Sequence, residues 1–431
     1  MIPSDQHPTH GTGTHDAGSH DVGSAPTGAP ARLSRRDRRR GGMAAVAITA
    51  VVAGGLAWTA PAIGAESAPT VVVVERGGDR GGRGGDRELQ PALDVVVQDH
   101  GIPGVLANVV DQHGRDRDYT SGVGNIETGE RVRPESQVRI GSNTKTFTAA
   151  VVMQLVAEGK VSLDASVETY LPGIVRGEGL DPNAITVRHL LQHTSGIPEY
   201  LGAFGIDDPS DFFQFQDHYY PPRDLVDMGL ALGADFQPGE QWSYSNTNYL
   251  LAGMIIERVT ARPVGEQITE RIIEPLGLSD TYVPVAGERE IRGVHPTAYN
   301  PTADGALGDI SRLDPSLAGA AGDIVSTPSD LNTFFSALIA GDVVPAPQLA
   351  EMQTTVPLAE DYPGDGYGLG LISTELSCGV VAWGHGGDIP GFSTRNGAVE
   401  DGRAVTVATT RLLLDLETNA AADAAVDEAL C

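Results

Sequence analysis

Three short runs in this 431-residue chain hold side chains of the right types and order for acyl transfer. The first is Ser142-Asn143-Thr144-Lys145, which follows the strand-like Val138-Arg139-Ile140-Gly141 and opens a helical pattern. A serine and a lysine three apart on a helix share a face, so the amine reaches the hydroxyl. Serine is a poor nucleophile until a base takes its proton. Lysine is that base only where burial or a nearby cation lowers its pKa. A helix start adds free backbone N–H groups and a positive dipole suited to a developing oxyanion. Alone, the spacing equally fits a serine helix start with a surface lysine.

The second run is Tyr244-Ser245-Asn246, in a turn before a helix. A tyrosinate beside an ammonium serves as general base and then as general acid to the leaving group. The asparagine two residues on is placed to position the lysine and a substrate amide. The bland alternative is a buried tyrosine and an asparagine N-cap. The third run is His385-Gly386-Gly387, after the strand-like Val380 to Trp383. Glycines at a sheet edge let a substrate approach the backbone, which makes Gly386 and Gly387 substrate-binding candidates. The N–H of Asp388 pairs with that of Ser142 as an expected oxyanion hole, and His385 stands beside the tyrosine. A lone histidine is otherwise a structural hydrogen-bonding group.

The elements that must position these runs come from both ends of the chain. Leu89, Leu93, Val96 and Val97 recur at helical spacing, and Gly101-Ile102-Pro103-Gly104 ends that helix. Val105 to Val110 and Asp118 to Gly122 read as strands, as do Gly368 to Ser373, Gly379 to Trp383 and Ala404 to Thr409. Asn143 to Glu158 reads as a helix with Ala149, Val152, Met153 and Val156 on one face. Further helices are expected at Tyr249 to Thr260, Pro328 to Ala340 and Asn419 to Ala429. The expected organisation is a sheet part over residues 89–141 and 315–431 with a helical part, 142–314, inserted between. The cleft between them is the natural binding site.

Ahead of this lies a different chemistry. Residues 1–65 read as a disordered Gly- and His-rich tail followed by an export signal: basic Arg32 to Arg40, apolar Ala44 to Ala60, then small residues for cleavage after Ala62 or Ala65. Residues 66–88, with their Arg-Gly-Gly repeats offset by aspartates, read as a solvated linker. The protein is therefore expected to be secreted, or membrane-anchored if the signal is retained. A net charge of −28 repels nucleic acid and anionic membranes. The two cysteines, Cys378 and Cys431, are expected to pair once exported. The bridge would close a loop of about 53 residues, worth about 4 kcal/mol by chain entropy.

In order and separation the three runs resemble the serine β-lactamases and D-alanyl-D-alanine carboxypeptidases, specifically the class C-like branch of penicillin-recognising serine hydrolases. The likeness covers about residues 89 to 412. It extends to Leu190-Leu191-Gln192-His193-Thr194-Ser195-Gly196-Ile197, Phe236-Gln237-Pro238-Gly239-Glu240, Ala321-Gly322-Asp323-Ile324-Val325-Ser326-Thr327 and Tyr367-Gly368-Leu369-Gly370. The resemblance implies an α+β, β-lactamase/transpeptidase-like fold, an antiparallel sheet flanked by helices plus an all-α part. It implies an acyl-enzyme mechanism with no cofactor and no metal. Ser142 would be nucleophile, Lys145 its proton acceptor, Tyr244 general acid/base, Asn246 a positioning group, and His385 a support for the Tyr244 hydrogen-bond network. His193, Thr194 and Ser195 would fix the loop entering the helical part. The expected activity is that of a D-Ala-D-Ala carboxypeptidase-type peptidase on a small-molecule or peptide substrate such as a peptidoglycan stem peptide. An esterase or class C-like β-lactamase on the same site is the alternative, and a non-catalytic penicillin-binding sensor the third reading. One departure matters. Carboxypeptidase members often carry Thr or Ser where this chain has Gly386, and that hydroxyl meets the substrate carboxylate. Arg395 is a candidate replacement, and acidic Asp388 would suit a substrate amine instead.

Overall fold

The computed structural model describes residues 89–358 and 365–431. The expected tail, export signal and linker lie outside the described residues. The helix α1 (Leu89–Gln98) leads into β1 (Gly104–Val110) and β2 (Asp116–Gly122). Next come α2 (Thr144–Ala157), α3 (Val187–Leu191), α4 (Pro222–Leu230), α5 (Asn246–Thr260) and α6 (Pro328–Ala340). The chain then returns to the sheet as β3 (Val356–Pro357), β4 (Gly366–Tyr367), β5 (Ile372–Glu375), β6 (Val381–Gly384), β7 (Gly387–Ile389), β8 (Phe392–Ala398) and β9 (Ala404–Thr409). It closes with α7 (Leu416–Leu430).

The sheet is antiparallel in every pairing and runs β2-β1-β9-β8-β6-β5-β4-β3, with β7 paired to β8. Strand alternation explains how it is covered on both sides. Val105, Ala107, Val405 and Val407 point to a core shared with Leu93 and Val96 of α1 and Ala422, Ala425 and Val426 of α7. Leu106, Ala404 and Ala408 point the other way, into a larger core with α2, α5 and α6. This is the expected antiparallel sheet flanked by helices.

Three local readings change. The expected strand Gly368 to Ser373 is broken: Gly370 N–H donates to Leu191 O at 3.2 Å, and only Ile372 onward pairs as a strand. Helix α2 buries almost its whole circumference rather than one face, including Thr144, Lys145, Thr146 and Thr148. A helix enclosed all round shows no clean polar stripe, so its four-residue apolar face was only part of its buried surface. The last helix begins at Leu416, where the Asp415 carboxylate caps the Thr418 N–H, three residues before the expected Asn419. The expected disulfide is present: Cys378 and Cys431 are bonded, tying the end of α7 to the β5–β6 turn.

Candidate active site

Ser142 sits in a 3-10 turn, Gly141–Asn143, that runs directly into α2. Two glycines let the edge strand β7 close on that turn. Gly141 has φ +50, and a Cβ there would lie 2.8 Å from Asp388 N. A Cβ on Gly387 would lie 2.0 Å from Ile140 O and 2.6 Å from Thr394 Oγ1. Asn143 completes the junction, donating to Ile140 O at 2.8 Å and to Thr394 Oγ1 at 2.6 Å. The Asp388 backbone is thus held against the residue preceding Ser142, as an oxyanion pair of their N–H groups requires.

The first two runs meet around one hydroxyl. Lys145 Nζ lies 3.0 Å from Ser142 Oγ, 2.6 Å from Asn246 Oδ1 and 2.8 Å from Ala321 O. Tyr244 Oη donates to Ser142 Oγ at 2.8 Å. Lys145 is fully buried, and that burial lowers its amine to about 7 against an upward pull from the Glu199 carboxylate. Burial drives the Tyr244 phenol well above its ordinary range, outweighing its bond to Ser142. At neutral pH the tyrosine is a phenol and the lysine is the group close to its titration point.

The third run reaches the other two indirectly. His385 makes no hydrogen bond to Tyr244 among the described contacts; their ring centroids are 6.3 Å apart. Its Nε2 instead meets Tyr367 Oη at 2.9 Å and its Nδ1 meets Gly386 O at 2.6 Å. Burial, then repulsion by Lys145, lowers its imidazole to about 3. Arg395 is already engaged: its guanidinium meets Asp388 Oδ1 at 3.2 Å and Thr394 O at 2.8 Å, and also bonds Asn419. Beside Ser142 opens a small cleft of about 30 Å³, lined by Tyr200, Leu201, Phe212, Leu313, Leu317, Ile389 and Pro390, with Asn246, Asp314 and Asp388 as polar groups.

Sequence reasoning missed two members of this site. Glu199 accepts from Asn246 N–H at 2.5 Å and from Leu201 N–H at 3.0 Å, and burial raises its pKa. Its signal was available, since it stands three residues after the Gly196 of the His193-Thr194-Ser195-Gly196 run. Tyr367 lay in a run noted only for likeness. His193, read as fixing a loop, also packs on the Tyr244 ring at 4.3 Å between centroids. No group of three or more His, Cys, Asp or Glu side chains able to hold a metal ion lies among the described residues.

Comparison with known proteins follows this geometry. A solved D-stereospecific amidohydrolase from Streptomyces sp. is 41% identical and superposes with a TM-score of 0.69, covering 77% of this chain and 96% of that one. The D-amino acid amidase from Ochrobactrum anthropi SV3, solved with L-phenylalanine amide, is 27% identical with a TM-score of 0.68, covering 79% of this chain and 96% of that one. Penicillin-binding protein 4* of Bacillus subtilis is 28% identical over 329 residues, 72% of this chain and 68% of the relative. The Beta-lactamase family matches residues 86–430, and the chain belongs to that family of serine hydrolases.

Proposed function

We propose that this protein is a D-stereospecific amidohydrolase that cleaves amides of D-configured amino acids through an acyl-enzyme on Ser142. The observation that carries the chemistry is the environment of Lys145 Nζ. Ala321 O can only accept, and Asn246 Oδ1 is oriented to accept. A neutral amine gives its two hydrogens to these oxygens, and its lone pair is left facing the Ser142 hydroxyl. Lys145 then takes the serine proton as Oγ attacks the carbonyl carbon. The Ser142 and Asp388 N–H groups hold the oxyanion, and Tyr244 passes a proton to the departing amine. Water, activated by the same groups, releases the acid.

The substrate reading rests on what surrounds Ser142. The cleft's mostly apolar lining suits an apolar substrate group, and Asp388, ion-paired with Arg395, is the carboxylate that follows the third run. Both amidase neighbours carry related names. A carboxypeptidase needs a partner for the terminal carboxylate. Gly386 has no hydroxyl to offer, and Arg395 is held by Asp388 and Asn419. The absence of a side chain at Gly386 also leaves room for a neutral ester, so esterase activity on the same site is the second reading. The basic, apolar and small-residue sequence of 32–65, with the Cys378–Cys431 bridge, supports action outside the cytoplasm.

The test is ammonia release from D- and L-phenylalanine amide, set against D-alanine release from an acylated D-Ala-D-Ala peptide. Wild type should hydrolyse the D-amide, and Ser142→Ala should lose at least ~10³-fold while staying folded. Faster cleavage of the D-Ala-D-Ala peptide would replace the amidase reading with the carboxypeptidase one.

A further inference from the structure

We propose that Tyr367 is a positioning residue: its hydroxyl joins His193 and His385 into one directional hydrogen-bond chain that holds the Tyr244 ring at one end and the Gly386 carbonyl at the other. The functional part of this rests on the reading of Ser142 and Tyr244 as the reacting pair. The chain itself rests on geometry alone.

Its direction follows from groups that have no choice. A backbone N–H can only donate, and Ser245 N–H points at His193 Nδ1 from 3.2 Å. That nitrogen therefore carries the lone pair, and Asn248 Nδ2 lies 3.2 Å from it as a second donor. A neutral His193 then holds its proton on Nε2, 3.1 Å from Tyr367 Oη. At the far end a carbonyl can only accept, and Gly386 O is 2.6 Å from His385 Nδ1. His385 therefore carries its proton on Nδ1, and its bare Nε2 takes the Tyr367 hydroxyl proton across 2.9 Å. Tyr249, the neighbouring hydroxyl, gives its own proton to Leu191 O at 2.8 Å, so toward Tyr367 it can only accept; the His385 Nε2 lone pair, with no other donor beside it among the described contacts, is the acceptor the chain assigns. The chain runs from His193 Nε2–H to Tyr367 Oη–H to His385, and from His385 Nδ1–H to Gly386 O. Burial and the Lys145 charge hold both imidazoles neutral, with Arg395 adding to that at His385.

Two further observations show that the fold commits to this arrangement. His193 has φ +58, one of only two described non-glycine residues in the left-handed region. Such a backbone costs on the order of 1 kcal/mol or more and persists only where its surroundings enforce it. Here Leu190 O accepts the His193 N–H, and Ser243 N–H donates to His193 O. The chain also joins segments far apart in sequence. His193 follows α3, Tyr367 lies on β4 and His385 follows β6, so three segments that converge only in the fold meet under the site. At one end His193 packs on Tyr244. At the other, Gly386 immediately precedes β7 and the Asp388 N–H.

Imidazole ¹⁵N spectra of the histidine-labelled full chain at neutral pH test this directly, with assignments from single-histidine variants. His193 should appear as the Nε2–H tautomer and His385 as the Nδ1–H tautomer, both neutral. Tyr367→Phe should leave His385 as the Nδ1–H tautomer, still held by Gly386 O, but shift its Nε2 resonance as that nitrogen loses the hydrogen bond it accepts. It should lower kcat about 10- to 100-fold, the cost of leaving buried donors and acceptors unpaired, with KM little changed. The rate is read with p-nitrophenyl acetate, which reports acylation of Ser142 whatever the natural substrate, so failure of the D-amide reading leaves this test standing. A charged imidazole, an Nε2–H tautomer at His385, or an unchanged kcat in Tyr367→Phe would overturn the proposal. Should Tyr367→Phe not fold, the wild-type tautomers decide it alone.

Discussion

The acid limb of the rate profile is the sharpest test of how this site works. Lys145 must be unprotonated to take the Ser142 proton, and burial sets its amine at about 7. The sign follows: the amine is active above that value, and activity is lost as pH falls through it. The plot of kcat/KM, which reports the free enzyme, should fall tenfold per unit below the midpoint. About a tenth of the plateau should remain one unit below and about a hundredth two units below. No other group in contact with Ser142 gives this limb. Tyr244 is held far above its ordinary range, so a tyrosinate base would place the rise at strongly alkaline pH. His385, at about 3, titrates too low. The Glu199 carboxylate raises the Lys145 value, so Glu199→Gln should move the limb to lower pH and raise the ratio of rates at pH 6 and pH 8. Lysine and carboxylate titrate as a coupled pair, so the midpoint belongs to the pair, but the direction of the shift does not depend on that. The assay is p-nitrophenyl acetate hydrolysis from pH 5 to 9, with substrate well below KM. A level profile between pH 5 and 8, or an upward shift in Glu199→Gln, would refute the assignment of Lys145 as base.

Gly387→Ala would push a methyl onto Ile140 O, a backbone atom 2.0 Å away; it should cost about 1–3 kcal/mol on a denaturant curve and reduce acylation. Gly386→Ser is expected to fold normally, since its Cβ would meet nothing nearer than Arg395 Nη1 at 3.5 Å and Thr394 O at 3.6 Å. Its new hydroxyl should raise activity on a substrate with a free terminal carboxylate relative to an amide, measured as the ratio of the two kcat/KM values. Cys378→Ser should lower stability by about 4 kcal/mol through the freed loop, read as a drop in the thermal midpoint, with kcat on the ester unchanged.

What the sequence discloses here is divided by the range of the interaction. Ser142 and Lys145 are legible because a three-residue step on a helix places them 3.0 Å apart wherever the helix goes. The alternation of β1 likewise gives both cores before any partner is known. Tyr244 and Asp388 carry a weaker signal, because their partners lie far along the chain; Tyr244 meets Ser142 across 102 residues. The supporting groups escaped for the same reason. Tyr367 reaches His193 across 174 residues and His385 across 18, and nothing near Tyr367 in the sequence distinguishes it from a core tyrosine. Glu199 reads as a loop carboxylate until the fold brings Asn246 N–H to it from 47 residues away. The partner of His385 is hidden for the same reason. Adjacency to Tyr244 was inferred correctly, but which of the tyrosines around it takes the hydrogen bond is a question of side-chain direction. Reactive groups therefore leave local signatures, because each must sit on a rigid element. The groups that set their protonation leave none, because a buried amine or imidazole is tuned by whatever the tertiary fold packs against it.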